Sequence, residues 1–452
     1  MINVDSSVVN VGLPVIGQRF SVSVSSLQWV VSIYLLTVTS LLTLAGKLSE
    51  RYGRREIFLF GLMFFLLTSL LCALAPSYDF LIVGRLLQGL GAAFIQSNVM
   101  AITVMSFPSE EKGRVLGMIG SVVALGTLIG PALGGVLIFY LGWRSVFWLN
   151  IPFGLMGWLG AFMMIPRIVP QKETALDRLG ASLFTLFIFT SLLAVDLLHT
   201  MLVLAAFLLG VGFLIIGWYV KRERSISHPF LPVSLFAIRG FVVAFVSGIL
   251  FWIQLMIPLY VMPFYLRKVM HLPMWLIGAF LTAQALASIL TSPYAGLLTD
   301  TKGILLPARL ALVFMFLADA AIAFWSGHIA FWGMPLLLAI LGLGTGFFSA
   351  PMNTLAMRAV PSEQTGNVSS LLALQRNVGR IFGVALSSLM LSFFLGNRTL
   401  KSASIAQFVS GERLVFLAGV AIVVVMAILM LRYTPKNMAL PRSTSNQVSS
   451  GS

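Results

Sequence analysis

Apolar runs of about twenty residues follow one another along almost the whole chain, separated by short stretches carrying Gly, Pro or charge. A helix needs roughly 20 mainly apolar residues to cross a bilayer. That window places spans near 1–17, 27–46, 56–75, 79–105, 114–141, 145–165, 180–198, 201–220, 240–265, 273–298, 305–326, 331–357, 367–396 and 413–432. Connections such as Ala75-Pro76-Ser77 and Ser106-Phe107-Pro108-Ser109 are short. The pattern predicts an all-α membrane protein, since lipid offers the backbone no partner outside its own helix.

Composition agrees. Of 452 residues, 59% are hydrophobic and 10% charged, with a mean hydropathy of +0.99. A soluble domain carries about 25% charged residues, so lipid must be the solvent for most of the outer face. The net charge of +15 does not indicate nucleic acid. Its basic residues lie in clusters between apolar runs, at Lys47/Arg51/Arg54/Arg55, Lys221/Arg222/Arg224 and Arg432/Lys436/Arg442. Such clusters set membrane topology, and the loops after even-numbered spans, with the tail, hold most of them. That distribution predicts a cytoplasmic C-terminus. Cys72 is the one cysteine, and His199, His228, His271 and His328 fall near span ends, so neither a disulfide nor a metal site is expected. No phosphate-binding loop, zinc-peptidase motif or hydrolase elbow occurs. An enzyme is not predicted, nor any cofactor.

The chain repeats itself. Gly46-x3-Glu50-x2-Gly53 returns as Gly296-x3-Asp300-x2-Gly303, Pro108-Ser109-Glu110-x2-Gly113 as Pro361-Ser362-Glu363-x2-Gly366, and Gly126-x3-Gly130 as Gly379-x3-Gly383, each about 250 positions later. Two six-helix bundles, 1–165 and 240–434, are therefore expected as parallel repeats. Between them lie two inserted spans and their links, 166–239, and a polar tail occupies 435–452. Paired halves around a midplane site are a common basis for alternating access.

Several residues carry candidate chemistry. The stretch Gly46 to Arg55 reads as a tight loop in which Glu50, Arg51, Arg54 and Arg55 pair across one face as a gate; plain topological anchoring is the alternative for the arginines. Arg85 lies inside the fourth span, where an ionisable residue is costly and calls for a polar partner; snorkelling is the alternative. Asp5 lies in the first span. Burial makes an ionised carboxylate costly unless a cation offsets it, which suits a group that loads and releases protons; a solvated N-terminal residue is the alternative. Asp5 and Arg85 are natural partners if the first and fourth spans adjoin one cavity. Gly126, Gly130, Pro131, Gly134 and Gly135 form a small-residue ridge that permits close packing and a kink. Asn10, Gln88, Asn98, Trp252, Gln254 and Tyr260 are candidate cavity residues. Asp196 reads as solvated, while Asp319, Arg376 and Arg380 are buried polar candidates.

These motifs, in order, resemble the major facilitator superfamily, and within it the fourteen-span drug:proton antiporters of the Emr/Qac type. The resemblance runs through Asp5–Pro14, Leu27-Gln28-Trp29-Val30 to Tyr34, Gly46–Arg55, Arg85–Gly91, Gly126–Gly135, Gly142-Trp143-Arg144 to Asn150-Ile151-Pro152, and Glu223-Arg224 with His228-Pro229. It implies proton-motive export of hydrophobic, often cationic compounds across the inner membrane. By motif, Asp5 and Arg85 would couple protons, Gly126–Gly135 would be the antiporter motif, and Gly46–Arg55 with Arg114 and Asp300 would form the cytoplasmic gate. The expected partners are the bilayer, a small-molecule substrate and protons, with a periplasmic adaptor protein as a further candidate. Two departures stand out. Glu50 occupies a place where the family motif usually has Asp. The first span covers only 17 residues, about 25 Å, against a hydrocarbon core of roughly 30 Å, so a natural start upstream of Met1 is expected. A dedicated exporter of one natural product and a non-transporting membrane sensor or scaffold are the rival readings.

Overall fold

The computed structural model describes residues 1–106, 126, 129–166, 178–197, 201–223, 233–360, 365–396, 399 and 402–432. Arg114, the Pro108–Gly113 stretch, Pro361–Glu363, Arg224 with His228-Pro229, His199 and the tail from 435 lie outside them. The helices are α1 (Ile2–Phe20), α2 (Val24–Tyr52), α3 (Arg54–Ala73), α4 (Tyr78–Ser106), α5 (Ile129–Leu141), α6 (Ser145–Trp148), α7 (Asn150–Met164), α8 (Arg178–Leu197), α9 (Leu202–Glu223), α10 (Arg239–Lys268), α11 (Met274–Lys302), α12 (Leu305–Trp325), α13 (Gly333–Arg358), α14 (Thr365–Leu395) and α15 (Ile405–Arg432). Among the described residues the only other pairing is one antiparallel bridge, Ser23 with Thr399.

Twelve helices among the described residues are long and apolar enough to cross a membrane, α6 and α7 counting together. Neither α1, which carries Asp5, Asn10, Gln18 and Arg19, nor the described part of α5 is among them. The sixth expected span keeps right-handed helical backbone through Leu149, which joins α6 to α7, and Pro152 in the first turn of α7 lacks the N–H that would continue the ladder.

The stretch expected as a loop at Gly46–Arg55 is almost entirely helical. α2 continues to Tyr52 and α3 starts at Arg54, so Gly53 alone makes the turn, at φ 104°. Its repeat, Gly303, closes α11 at φ 82°. Both need a residue without Cβ, which explains why glycine recurs at this spacing.

Helix packing follows the repeat. α3 packs on α4 and α7, and α2 on α4; correspondingly α12 packs on α13 and α15, and α11 on α13. α8 and α9 pack on each other, and α8 lies against α2 and α14. α2 meets α14, and α1 meets α10, across the two sets. Tyr260 donates from α10 to the Val24 carbonyl at the start of α2, 3.1 Å away. Together with the Ser23–Thr399 bridge, this joins the sets at the end where α1 turns into α2.

Candidate functional site

Arg85 and Asp5 meet in the first set of helices. α4 carries Arg85 one turn before Gly89, whose bare backbone lies against Tyr34 and Thr37 of α2, and Arg85 is fully buried. Arg85 Nη1 donates to Asp5 Oδ2 at 2.8 Å, with both side chains 0% exposed. Arg85 also donates to the Val30 carbonyl at 2.9 Å and to Gln88 Oε1 at 2.6 Å. Its guanidinium stands 4.2 Å from the centre of the Tyr34 ring, a favourable cation–π placement.

The second carboxylate oxygen, Asp5 Oδ1, accepts from Asn150 Nδ2 at 2.7 Å and Gln88 Nε2 at 3.2 Å. Ser69 Oγ accepts from Gln88 at 2.8 Å and from Asn150 at 3.4 Å. Five residues on α1, α3, α4 and α7 thus form one buried network holding one positive and one negative charge. Removing two charges from water costs several kcal/mol per ion, and only good geometry with further hydrogen bonds offsets that. This network supplies both, so Asp5 is neither a solvated terminal residue nor Arg85 a snorkelling one. Asn150 and Ser69 were not among the sequence candidates; Asn150 had stood only in a motif, and a lone serine in an apolar run carries no signal.

The small-residue ridge packs on two sides. Gly126, Gly130 and Gly134 approach Val4, Ser7 and Val8 of α1, the turns around Asp5, while Pro131 and Gly135 meet Gly278 of α11 backbone to backbone. Gly379 and Gly383, the repeat of the first two glycines, approach Ile249, Trp252, Ile253 and Met256 of α10 in the same way.

The expected gate residues do not pair across the two sets of helices among the described residues. Glu50 binds Lys47 on its own helix at 3.2 Å and Arg54 at the start of α3 at 3.1 Å. Arg55 donates to the carbonyls of Phe162 and Ile165 at 2.7 Å each, closing the C-terminal end of α7. Arg51 lies exposed over Tyr52. Asp300 is 3.9 Å from Arg358, with both exposed. Gly46 packs near Ser97 of α4.

The candidate cavity residues scatter. Gln88 belongs to the Asp5 network, and Asn98 donates to Ser49 at 2.7 Å and to the Phe94 carbonyl. Asn10 is buried in α1. Gln254 donates to Asp319, both 0% exposed, and Gly419 of α15 packs over that contact. Trp252 alone of the six lines a cavity of about 260 Å³ between α10, α13 and α14. Arg376 lines it as well.

Two acids differ from expectation. Asp196 is not solvated: it is fully buried, accepts from Ser32 Oγ at 3.0 Å, and its carbonyl accepts from Gln28 at 3.1 Å, so polar residues of α2 enclose the end of α8. Glu412, which the sequence had not singled out near the start of its span, is buried on α15 and accepts from Ser326.

A model of the Major Facilitator Superfamily matches residues 1–384. The chain is 29% identical over 444 residues to the riboflavin transporter RibZ of Clostridioides difficile (strain 630), covering 97% of this chain and 96% of that protein. It is 32% identical over 412 residues to the drug efflux pump JefA of Mycobacterium tuberculosis (strain CDC 1551 / Oshkosh), covering 88% and 79%. Among solved structures, a bacterial homolog of the human lysosomal transporter Spinster superposes with a TM-score of 0.69 at 16% identity, over 94% of this chain and 92% of that one.

Proposed function

The chain belongs to the Major Facilitator Superfamily and is a membrane transporter, and we propose that it is a proton-coupled antiporter of the fourteen-span drug-exporter type, moving hydrophobic small molecules out across the cytoplasmic membrane. The observation that carries this reading is the Asp5–Arg85 pair at 2.8 Å inside a fully buried network. When a proton reaches Asp5, the charge that holds Arg85 disappears while the guanidinium stays buried. An uncompensated buried charge costs several kcal/mol, so protonation favours a rearrangement that rehydrates or re-partners Arg85. That is the differential interaction with two states that coupling requires.

Three further features support it. The domains would be 1–165 and 240–434 with 166–239 inserted, as the matching helix contacts of the two sets suggest. The end bearing Gly53 and Gly303 would be cytoplasmic, with the C-terminus, because the basic clusters gather there. The bonds from Tyr260 to Val24 and from Ser23 to Thr399 close the opposite end, while Glu50 and Asp300 pair only within their own sets. This arrangement suits a cytoplasm-facing state, with the Gly46–Arg55 turn free to engage when the halves rock. A periplasmic adaptor remains part of this reading only as a partner to be sought.

The similarity to a riboflavin transporter favours a second reading, dedicated movement of one metabolite. Proteoliposomes holding the purified protein under a pH gradient separate the possibilities. Gradient-driven movement of several unrelated compounds, lost in Asp5→Asn, supports the antiporter; movement of one compound alone supports the second reading; no gradient-dependent movement across a broad panel rejects both.

A further inference from the structure

The cavity beside Trp252 differs in charge from the expectation of cationic substrates. α14 presents Arg376 and Arg380 one turn apart on the side that faces α10. The Arg376 guanidinium lies 5.9 Å and that of Arg380 4.8 Å from the Trp252 ring. Among the described residues no carboxylate pairs with either, and neither Nε atom has a hydrogen-bond partner. Gln375 Oε1 beside them is also unpartnered; its amide fills the space that a side chain at Gly248 would take. Ionisable residues at membrane depth normally pair with one another or with backbone carbonyls. Arg85 pairs with Asp5 and the Val30 carbonyl in this same protein, its Nη2 alone unpartnered, whereas among the described residues Arg376 and Arg380 meet no carboxylate.

The rest of the wall fits a flat apolar body. Phe251 stacks on Phe348 at 4.8 Å between centroids, and both line the cavity with Trp252 and Asn353. Two like charges at close range in a poorly solvated space repel each other. An anion in the cavity offsets that repulsion and supplies an acceptor to the Arg376 guanidinium, a planar donor that binds carboxylate, sulfonate or phosphate through two hydrogen bonds. A cation entering the same space adds to the repulsion.

We propose that this cavity is the substrate site and that it takes an amphipathic organic anion, an aromatic body carrying one acidic group held by Arg376, with the positive field of Arg380 behind Trp252 adding to the attraction. The inference rests on the transporter reading for the fate of the bound molecule, but not for its charge.

The test uses one aromatic body with either charge: 2-naphthalenesulfonate and 2-naphthyltrimethylammonium, each presented to the purified full chain in detergent by equilibrium dialysis and to proteoliposomes under a pH gradient. The sulfonate should bind at least tenfold more tightly than the ammonium. Arg376→Gln/Arg380→Gln should weaken sulfonate binding at least tenfold, while Arg376→Lys/Arg380→Lys keeps most of it. Equal or tighter binding of the ammonium, binding of neither, or unchanged sulfonate binding in the glutamine variant overturns the proposal. If the glutamine variant does not fold, the two wild-type affinities decide alone. Sulfonate binding without gradient-driven movement would leave the anion site standing and reject the antiporter; gradient-driven movement of the ammonium without sulfonate binding would do the reverse.

Discussion

Gln254 on α10 donates to Asp319 on α12 at the place in the second set of helices that Asp5 on α1 and Ser69 on α3 occupy in the first. Each of the two residues stands about 250 positions after its counterpart, and Gly419 of α15 packs there as Asn150 of α7 does beside Asp5. The acid has moved from the first helix of the repeat to the third, and among the described residues no arginine accompanies it. The two buried acids therefore face opposite situations: Asp5 has a cation to hold, whereas Asp319 has an amide.

That contrast predicts opposite effects of the same substitution. Asp319→Asn removes a carboxylate that has no cation among the described residues, and leaves Gln254 an amide oxygen to donate to. Its thermal stability in detergent should equal or exceed that of the wild type. Asp5→Asn strands Arg85 and should cost about 3–5 kcal/mol. Thermal unfolding of the two purified variants checks this, and a loss of similar size in both would refute it.

Removing both charges should cost less than the single losses suggest. Asp5→Asn/Arg85→Gln takes away the stranded cation together with its acid, so the pair should show a coupling energy of about 1–3 kcal/mol in a double-mutant cycle. Additive losses would mean that the two side chains act separately, contrary to the 2.8 Å contact.

Tyr260→Phe deletes the hydrogen bond to the Val24 carbonyl without changing the ring. A bond of this kind contributes about 0.5–1.5 kcal/mol, so the balance between closed and open forms at the α1–α2 end should shift by up to about tenfold. Spin labels at Ser21→Cys and Ser402→Cys, both exposed, in a Cys72→Ser background would report it as a longer-distance population in pulsed dipolar spectra. An unchanged distance distribution would show that this bond does not hold the end shut.

Gly278→Ala would place a methyl group against the Pro131 carbonyl and the Gly135 backbone. Backbone cannot swing aside as a long side chain can, so α5 and α11 must separate. Overpacking of this sort costs about 1–3 kcal/mol, readable as a lowered unfolding temperature. Gly296→Ala, on the same helix with open space beside it, should be nearly silent and serves as the control.

The helical plan was readable because each span must be long and apolar to exist in lipid at all, a demand that leaves its mark on every residue of a run. The Asp5–Arg85 pair was readable for the same reason in reverse: a charge in such a run stands out, and two of them invite pairing. Asn150, Ser69 and Ser326 were not, since small polar residues occur throughout apolar helices and only tertiary contact separates a network member from an idle hydroxyl. Asp196 misled because closeness to a span end suggests water; α2, distant in sequence, covers it with Gln28 and Ser32. The loop at Gly46–Arg55 misled differently. A cluster of charges next to glycine reads as a loop poised to bind elsewhere, yet helix α2 runs through it and Arg55 spends its donors on the end of α7.

Helix α5 touches α1 through glycine on one side and α11 through glycine on the other. Side chains normally cushion two helices, so that one can tilt without dragging its neighbour. Here that padding is missing along both flanks, and a tilt of α11 is passed straight to the turns of α1 that present Asp5. The carboxylate of Asp5 is thus geared to the opposite half of the molecule, with almost no slack in between.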